Sequence, residues 1–218
     1  MTTPKLRIFL ADDHNVLREG LKALLEEESD LEVVGEAPDG RTACRMAREL
    51  RPDVVIMDVG MPDMNGVEAA RRIREDPPAT KILCLSVHTE PSIVHAMLEA
   101  GAAGYILKTS AARELVQAVR VVSAEETYLS PPIASVVVAR HVRGREQGPG
   151  GAFQDLTPRE REVLQLIAEG HHTKRVAAKL GISPKTVLAH REKIMKKLGM
   201  DSVAGLVRYA LQEGVSEL

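Results

Sequence analysis

Pro52-Asp-Val-Val-Ile-Met-Asp58-Val-Gly-Met-Pro62-Asp-Met-Asn-Gly66 is the stretch that decides the fold. Val54 to Met57 is a short apolar run, β-branched at its start, with the length of a strand buried on both faces. It stops on one carboxylate, Asp58. Gly60, Pro62, Asn65 and Gly66 are turn formers, so Asp58 is expected at the C-terminal mouth of the strand. In open α/β sheets ligands bind at that mouth. A lone strand-end aspartate is as readily a helix cap or a solvated loop residue, so the flanking chain has to decide.

Upstream, Leu6 to Ala11 reads as a strand that runs directly into Asp12-Asp13, and Val16, Leu17, Leu21, Leu24 and Leu25 recur at helical spacing. A second strand, Leu31 to Glu36, closes on Pro38-Asp39-Gly40 and leads into a helix through Cys44, Ala47 and Leu50. Downstream come a helix over 66–75, a strand from Ile82 to Ser86 and a helix over 91–100. A strand over 104–107 and a helix over 111–123 complete five β-α pairs. This alternation predicts a doubly wound, five-stranded parallel sheet of the flavodoxin-like class, with helices on both faces.

The remainder is organised differently. After Tyr128-Leu-Ser-Pro-Pro132 the pattern weakens; a short helix is expected around Val136 to Ala139, and Arg143 to Gly151 is Gly- and Arg-rich linker. A new domain opens at Leu156-Thr-Pro-Arg-Glu160, where Thr157, Pro158 and Glu160 spell a capping box. Helices follow over 158–168, from a Thr173 cap to Leu180, from Ser183-Pro184 to Leu198, and from Val203 to Leu211. The tight Gly181-Ile-Ser183 turn gives the middle pair helix-turn-helix form. The expected division is 1–128, a linker over 129–154, and an all-α four-helix domain over 155–218.

Composition separates the halves further. Net charge is only −2, but residues 1–130 carry 15 Lys/Arg against 22 Asp/Glu and residues 153–218 carry 11 against 8. Between Lys174 and Lys197 eight basic residues face a single acid, Glu192. A basic stripe confined to the second half points to nucleic acid there alone. Only five aromatic residues argue against recognition of RNA or single strands by stacking. No apolar run approaches the ~18–20 residues of a membrane span, and Met1-Thr-Thr-Pro-Lys5 lacks a signal peptide's apolar core. Cys44 and Cys84 have no metal-ligand spacing and read as small core residues in a reducing compartment, so the expected location is cytoplasmic.

In the predicted strand order the ends at Asp12-Asp13 and Asp58 are neighbours. Two like charges ~4 Å apart repel by about 4 kcal/mol at an effective dielectric of about 20, and a divalent cation removes that cost. An all-oxygen set with open positions suits Mg²⁺. Ser86 and Lys108 end the next two strands at the same mouth. A fixed ammonium and a hydroxyl beside three acids form a site for a phosphoryl group, where positioning and charge neutralisation do most of the work.

These residues, with Met61-Pro62, Gly66 and Tyr105, make residues 5–124 resemble the response-regulator receiver domain. The resemblance implies Mg²⁺-dependent transfer of phosphoryl from a histidine kinase to Asp58. Asp13, Asp58 and the Gly60 carbonyl would ligate the metal, with Asp12 acting partly through water. Ser86 and Lys108 would hold phosphoryl oxygens, and Tyr105 would swing inward as Ser86 moves. Residues 155–215 resemble the LuxR-type helix-turn-helix of NarL/FixJ regulators, through Leu156-Thr-Pro-Arg-Glu-Arg-Glu-Val-Leu164, Lys174, Val176-Ala177 and Ile182-Ser-Pro-Lys-Thr-Val187. Helical geometry agrees: Val187, Ile194 and Leu198 share one face of the long helix, while Lys185, Leu188, Ala189, Glu192 and Lys196 share the other.

The chain is thus expected to bind double-stranded promoter DNA through Lys174, Ser183, Lys185, Thr186, Leu188, Ala189, Glu192, Lys193 and Lys196. It is expected to form a homodimer on phosphorylation or on DNA, with RNA polymerase as a further partner. Relatives place basic residues at 188 and 192, where Leu188 and Glu192 stand here. Two rival readings differ in chemistry: a receiver-shaped regulator that works without phosphorylation, and a Mg²⁺-dependent phosphohydrolase. Haloacid-dehalogenase-like hydrolases carry a second aspartate two residues after the nucleophile, a position held here by Gly60.

Overall fold

The computed structural model describes residues 4–75, 80–143, 153 and 155–215. The chain divides into two compact units, 1–144 and 145–218.

In the first unit six parallel strands lie in the order β2-β1-β3-β4-β5-β6. The strands are β1 (Leu6–Ala11), β2 (Leu31–Ala37), β3 (Val54–Met57), β4 (Lys81–Ser86), β5 (Gly104–Leu107) and β6 (Tyr128–Leu129). Between them run α1 (Asn15–Glu26), α2 (Gly40–Leu50), α3 (Gly66–Glu75), α4 (Pro91–Glu99) and α5 (Ala111–Ser123). The apolar runs are continuous because both faces of the sheet are covered. Phe9, Val55, Met57, Ile82, Cys84 and Tyr105 enter one core with Ala43, Ala69, Ile93 and Met97. Their neighbours Ile8, Leu10, Ile56, Leu83, Leu85 and Ile106 enter the other with Leu21, Leu25, Leu115 and Val119. Strand residues of period two thus fill two cores at once.

The sheet has one strand more than the five expected. β6 pairs with β5 through Gly104–Tyr128 and Tyr105–Leu129. Residues 131–143, inside the stretch expected as linker, form helix α6 (Pro131–Arg143). Ile133 is fully buried in the first core, and Val136 and Val137 pack against it. The remaining linker, from 144 to 152, lies outside the described residues.

The second unit holds α7 (Pro158–Ala168), α8 (Thr173–Leu180), α9 (Pro184–Leu198) and α10 (Val203–Gln212). Its core gathers Val163, Leu164, Leu166, Val176, Val187, Ile194 and Leu206. Gly181, at φ 63°, closes α8 in the left-handed conformation, and the Ser183 hydroxyl accepts the Thr186 N–H at 3.1 Å to open α9. Thr173 was the expected cap of α8, but it is the first helical residue. The extended His172 precedes it, and its carbonyl already accepts the Val176 N–H at 3.1 Å, so the helix begins one residue early.

The capping box at 157–160 is complete. Thr157 Oγ1 accepts the Glu160 N–H at 3.3 Å, and Glu160 Oε2 accepts the Thr157 N–H at 2.8 Å. Lys197 Nζ, 2.7 Å from the same carboxylate oxygen, ties α9 to this cap. Burial works to raise the Glu160 pKa, but the bonds from Lys197 and Thr157 outweigh it and hold the group below its ordinary 4.5. Its stabilisation is therefore present above pH 4.5 and lost as pH falls through the depressed folded-state value. Thr157→Ala should cost about 1 kcal/mol. In urea unfolding the second unit's transition should move to lower urea while the first unit's stays.

Candidate functional site

Strand register assembles the pocket. Ala11 pairs with Met57, so Asp12 and Asp58, each one residue on, emerge side by side. The Asp58 N–H donates to the Ala11 carbonyl at 2.8 Å, which extends the ladder by one bond. Met57 pairs with Cys84 and Ser86 with Leu107, which brings the ends of β4 and β5 to the same mouth. Lys108 opens a short 3₁₀ turn, Lys108–Ser110, directly after β5.

Lys108 Nζ lies 2.8 Å from Asp58 Oδ2 and 2.8 Å from Asp12 Oδ2. Asp12 and Asp58 are 2% and 4% exposed, so these charges interact in a medium far less screening than water. Burial, the largest single influence, works to lower the Lys108 pKa; Asp58 and Asp12 together outweigh it and hold the ammonium above its ordinary value. Lys108 is therefore a permanent cation at neutral pH. Asp58 Oδ1 accepts the N–H of Val59 at 2.8 Å, which fixes the rotation of the carboxylate.

Asp13 stands at the exposed rim. His14 Nδ1 lies 2.8 Å from Asp13 Oδ1 and 3.1 Å from Asp12 Oδ1. Arg18 donates to the Asp12 carbonyl at 2.6 Å and so braces the turn that presents both acids. Ligand atoms of Asp12, Asp13, His14 and Asp58 all lie within 4.8 Å of one another. Three carboxylates facing one ammonium, with oxygen as the dominant donor, suit a hard divalent cation such as Mg²⁺.

Ser86 and Tyr105 are both fully buried. The Ser86 hydroxyl accepts the His88 N–H at 3.1 Å, and the Tyr105 hydroxyl donates to the His88 carbonyl at 3.0 Å. Tyr105, expected to swing, is thus turned inward, and burial pushes its phenol well above the ordinary range. Gly66 packs against the backbone of Asp58 and Val59. Its N–H donates to the Val59 carbonyl at 2.9 Å, and a Cβ there would come 1.9 Å from the Asp58 carbonyl oxygen.

Three contributors were missed from the sequence. The Val59 N–H is backbone, so no residue type announces it. At the start of α1 the paired acids carry the sequence signal, and His14 and Arg18 do not stand out beside them. The Arg18 signal was its position one helical turn into α1, where a long side chain reaches back over the first turn.

In the second unit α9 has the two faces expected. Val187, Ile194 and Leu198 are buried, whereas Ser183, Lys185, Thr186, Leu188, Ala189, Glu192, Lys193 and Lys196 are exposed, as is Lys174 on α8. A cavity of about 320 Å³ beside this face is lined in part by Thr173, Lys174, Val187, Arg191 and Val203. Arg191 Nε is buried there without a hydrogen-bond partner among the described residues. His190 is half-buried, beside the core-facing side of α9.

A receiver-type pocket on one unit and a helix-turn-helix on the other define a class, and family comparison gives the same one. Residues 8–120 match the response regulator receiver domain, and residues 154–210 match the bacterial regulatory proteins of the luxR family. The chain belongs to the response regulators of the two-component type, with a LuxR-type output domain, and acts in transcription regulation. It is similar to the oxygen regulatory protein NreC of Staphylococcus epidermidis, 40% identical over 217 residues, covering 97% of this chain and 100% of that protein. It is 38% identical over 212 residues to the transcriptional regulatory protein MctR of Rhizobium johnstonii, covering 97% and 96%. Among solved structures, RcsB of Salmonella enterica serovar Typhimurium bound to promoter rprA with phosphomimetic BeF₃⁻ matches with a TM-score of 0.62. That match has 26% identity and covers 94% of this chain and 98% of that one. Among the described residues no helix is long and apolar enough to cross a membrane.

Proposed function

We propose that Asp58 accepts a phosphoryl group from a histidine kinase and that this modification controls how the second unit occupies promoter DNA. The observation that carries it is the single ammonium of Lys108, 2.8 Å from both buried carboxylates. Asp58 is the nucleophile: a carboxylate oxygen forms the new P–O bond while the P–N bond to the donor imidazole breaks, and the imidazole leaves with the bonding electrons. Lys108 and Ser86 receive the phosphoryl oxygens, whose charge would otherwise face Asp12 and Asp13. Asp13, Asp58 and the Gly60 carbonyl would hold Mg²⁺, with Asp12 acting partly through water. Bound there, the ion supplies charge neutralisation for the transferring group. Tyr105 and Ser86 form the switch pair, because both hydrogen-bond the backbone of His88.

The DNA face is α9 with the start of α8. Lys174, Lys185, Lys193 and Lys196 set register on phosphates, joined by Ser183 and Thr186 at the helix start. Leu188 and Ala189 meet thymine methyls, and Glu192 accepts from a cytosine amino group. Phosphorylation favours a homodimer, which reads half-sites about one helical turn apart. RNA polymerase and the kinase are the protein partners, and the cytoplasm is the location.

Addition of Mg²⁺ and beryllofluoride should tighten promoter binding by the full-length chain and raise its sedimentation coefficient. Unchanged values in both would sink phosphorylation control. Lys174→Ala or Lys185→Ala should weaken binding to all sequences alike and lower the salt slope by about 1. Glu192→Ala should instead relax preference at one base pair, by about 1–3 kcal/mol. Binding-site selection on parent and variant distinguishes this from a mere gain in basic charge, which would tighten all sequences equally.

A further inference from the structure

We propose that Ser130 is a positioning residue that couples the phosphoryl site to helix α6, and so to the chain leading into the second unit. This rests on the reading of Asp58 as phosphoacceptor.

Ser130 sits between β6 and α6 and is fully buried. All of its polar groups are engaged. Its N–H donates to the Tyr105 carbonyl at 2.9 Å, and its own carbonyl accepts the Ala134 N–H at 2.9 Å, closing the first turn of α6. Its hydroxyl accepts the Leu107 N–H at 3.3 Å and donates to Glu114 Oε2 at 2.8 Å. Glu114 also accepts from the Tyr128 hydroxyl at 3.3 Å, so one carboxylate pins both ends of the β6–α6 junction.

The two strand residues that Ser130 holds are the two that report on the pocket. Leu107 immediately precedes Lys108, whose Nζ sits on Asp58. Tyr105 reaches the other side: its hydroxyl bonds the His88 carbonyl, and the His88 N–H bonds Ser86 Oγ. Lys108 and Ser86 are the side chains that a phosphoryl group would draw upon. A displacement of Lys108 arrives at Ser130 through the single bond from Leu107, and one of Ser86 through three, by way of His88 and Tyr105.

Ser130 is also where a small displacement has a large result. The bond from Leu107 is the longest of the four and ends on a buried hydroxyl, where losing it leaves an amide unpaired. Three residues on, Ile133 anchors α6 in the first core. The junction therefore has two arrangements: α6 docked with the Ser130 hydroxyl bridging Leu107 and Glu114, or its first turn loosened when β5's end shifts. The coupling is read from the response of α6 itself.

Amide exchange of residues 134–137 in the full-length chain, with and without Mg²⁺ and beryllofluoride, reads it. In the parent chain beryllofluoride should speed exchange there by about tenfold. In Ser130→Ala the half-saturating beryllofluoride should stay within about twofold of the parent, while the exchange response and the gain in promoter affinity both fall about fivefold. Ser130→Thr keeps the hydroxyl and should restore both. Glu114→Ala, which removes the acceptor shared by the Ser130 and Tyr128 hydroxyls, should give the same separation if Ser130→Ala fails to fold. A variant whose exchange ratio matches the parent's overturns the proposal. So does one that loses beryllofluoride binding in the same proportion as the response, because Ser130 would then merely support the pocket. A parent chain that binds no beryllofluoride overturns the phosphoacceptor reading, and this inference with it.

Discussion

Asp58→Asn should abolish phosphoryl acceptance from acetyl phosphate, with no label above background. The amide is isosteric with the carboxylate, so the pocket keeps its shape, but its oxygen is uncharged and a poor nucleophile. Lys108 then faces Asp12 alone and keeps one of its two 2.8 Å contacts. The fold should survive, because Asn65 Oδ1 accepts the Glu68 N–H at the start of α3 and the backbone bond of Asp58 to Ala11 is untouched. Asp13→Ala provides the graded comparison. It removes one ligand from the rim and should weaken Mg²⁺ binding while leaving the nucleophile in place. Undiminished labelling of Asp58→Asn would remove Asp58 from the chemistry.

Gly66→Ala should unfold the first unit or leave it barely stable, with a cost of about 3 kcal/mol or more. The added Cβ would stand 1.9 Å from the Asp58 carbonyl oxygen, 2.8 Å from its carbon and 3.0 Å from Val59 Cα. These are backbone atoms at a buried strand end, so no flexible side chain can move aside. Relief has to come from displacing α3 or Asp58 itself, and even a surviving fold would misplace the phosphoacceptor. Gly20→Ala is the control. It lies within α1 with no heavy atom within 4 Å of the new Cβ, and it should stabilise by about 0.5–1 kcal/mol. Thermal unfolding of the two variants should separate them in opposite directions.

The sheet and the acid pocket were legible because both depend on residue types with strong local signals. Short strand runs alternate with helical spacing, and those of β1, β3, β4 and β5 end on or beside a polar residue, Asp12, Asp58, Ser86 or Lys108, that the register carries to one mouth. Strand β6 was not legible: two residues carry no period, and Tyr128-Leu129 joins the sheet only because β5 offers a free edge. Helix α6 was under-read for a different reason. Pro131-Pro132 looks like a breaker, yet proline is well placed in a first helical turn, where no intrahelical N–H is needed. Ile133, Val136 and Val137 then supply the 3,4 spacing that seats the helix. The network at Ser130 was invisible, since Tyr105 and Leu107 are brought to it by the β5–β6 pairing and Glu114 by helix α5. On the DNA side the two faces of α9 followed from periodicity alone, whereas the cavity holding Arg191 depends on how α8, α9 and α10 meet.

Site mapping of the phosphoryl group tests the central claim most directly. An aspartyl phosphate is an acyl phosphate, and borohydride reduces it to homoserine, which marks the residue permanently. The full-length chain, treated with acetyl phosphate and Mg²⁺, reduced and sequenced by mass spectrometry, should carry homoserine at position 58 and at no other aspartate. Homoserine at position 12 or 13, or none at all from a folded chain, would contradict it.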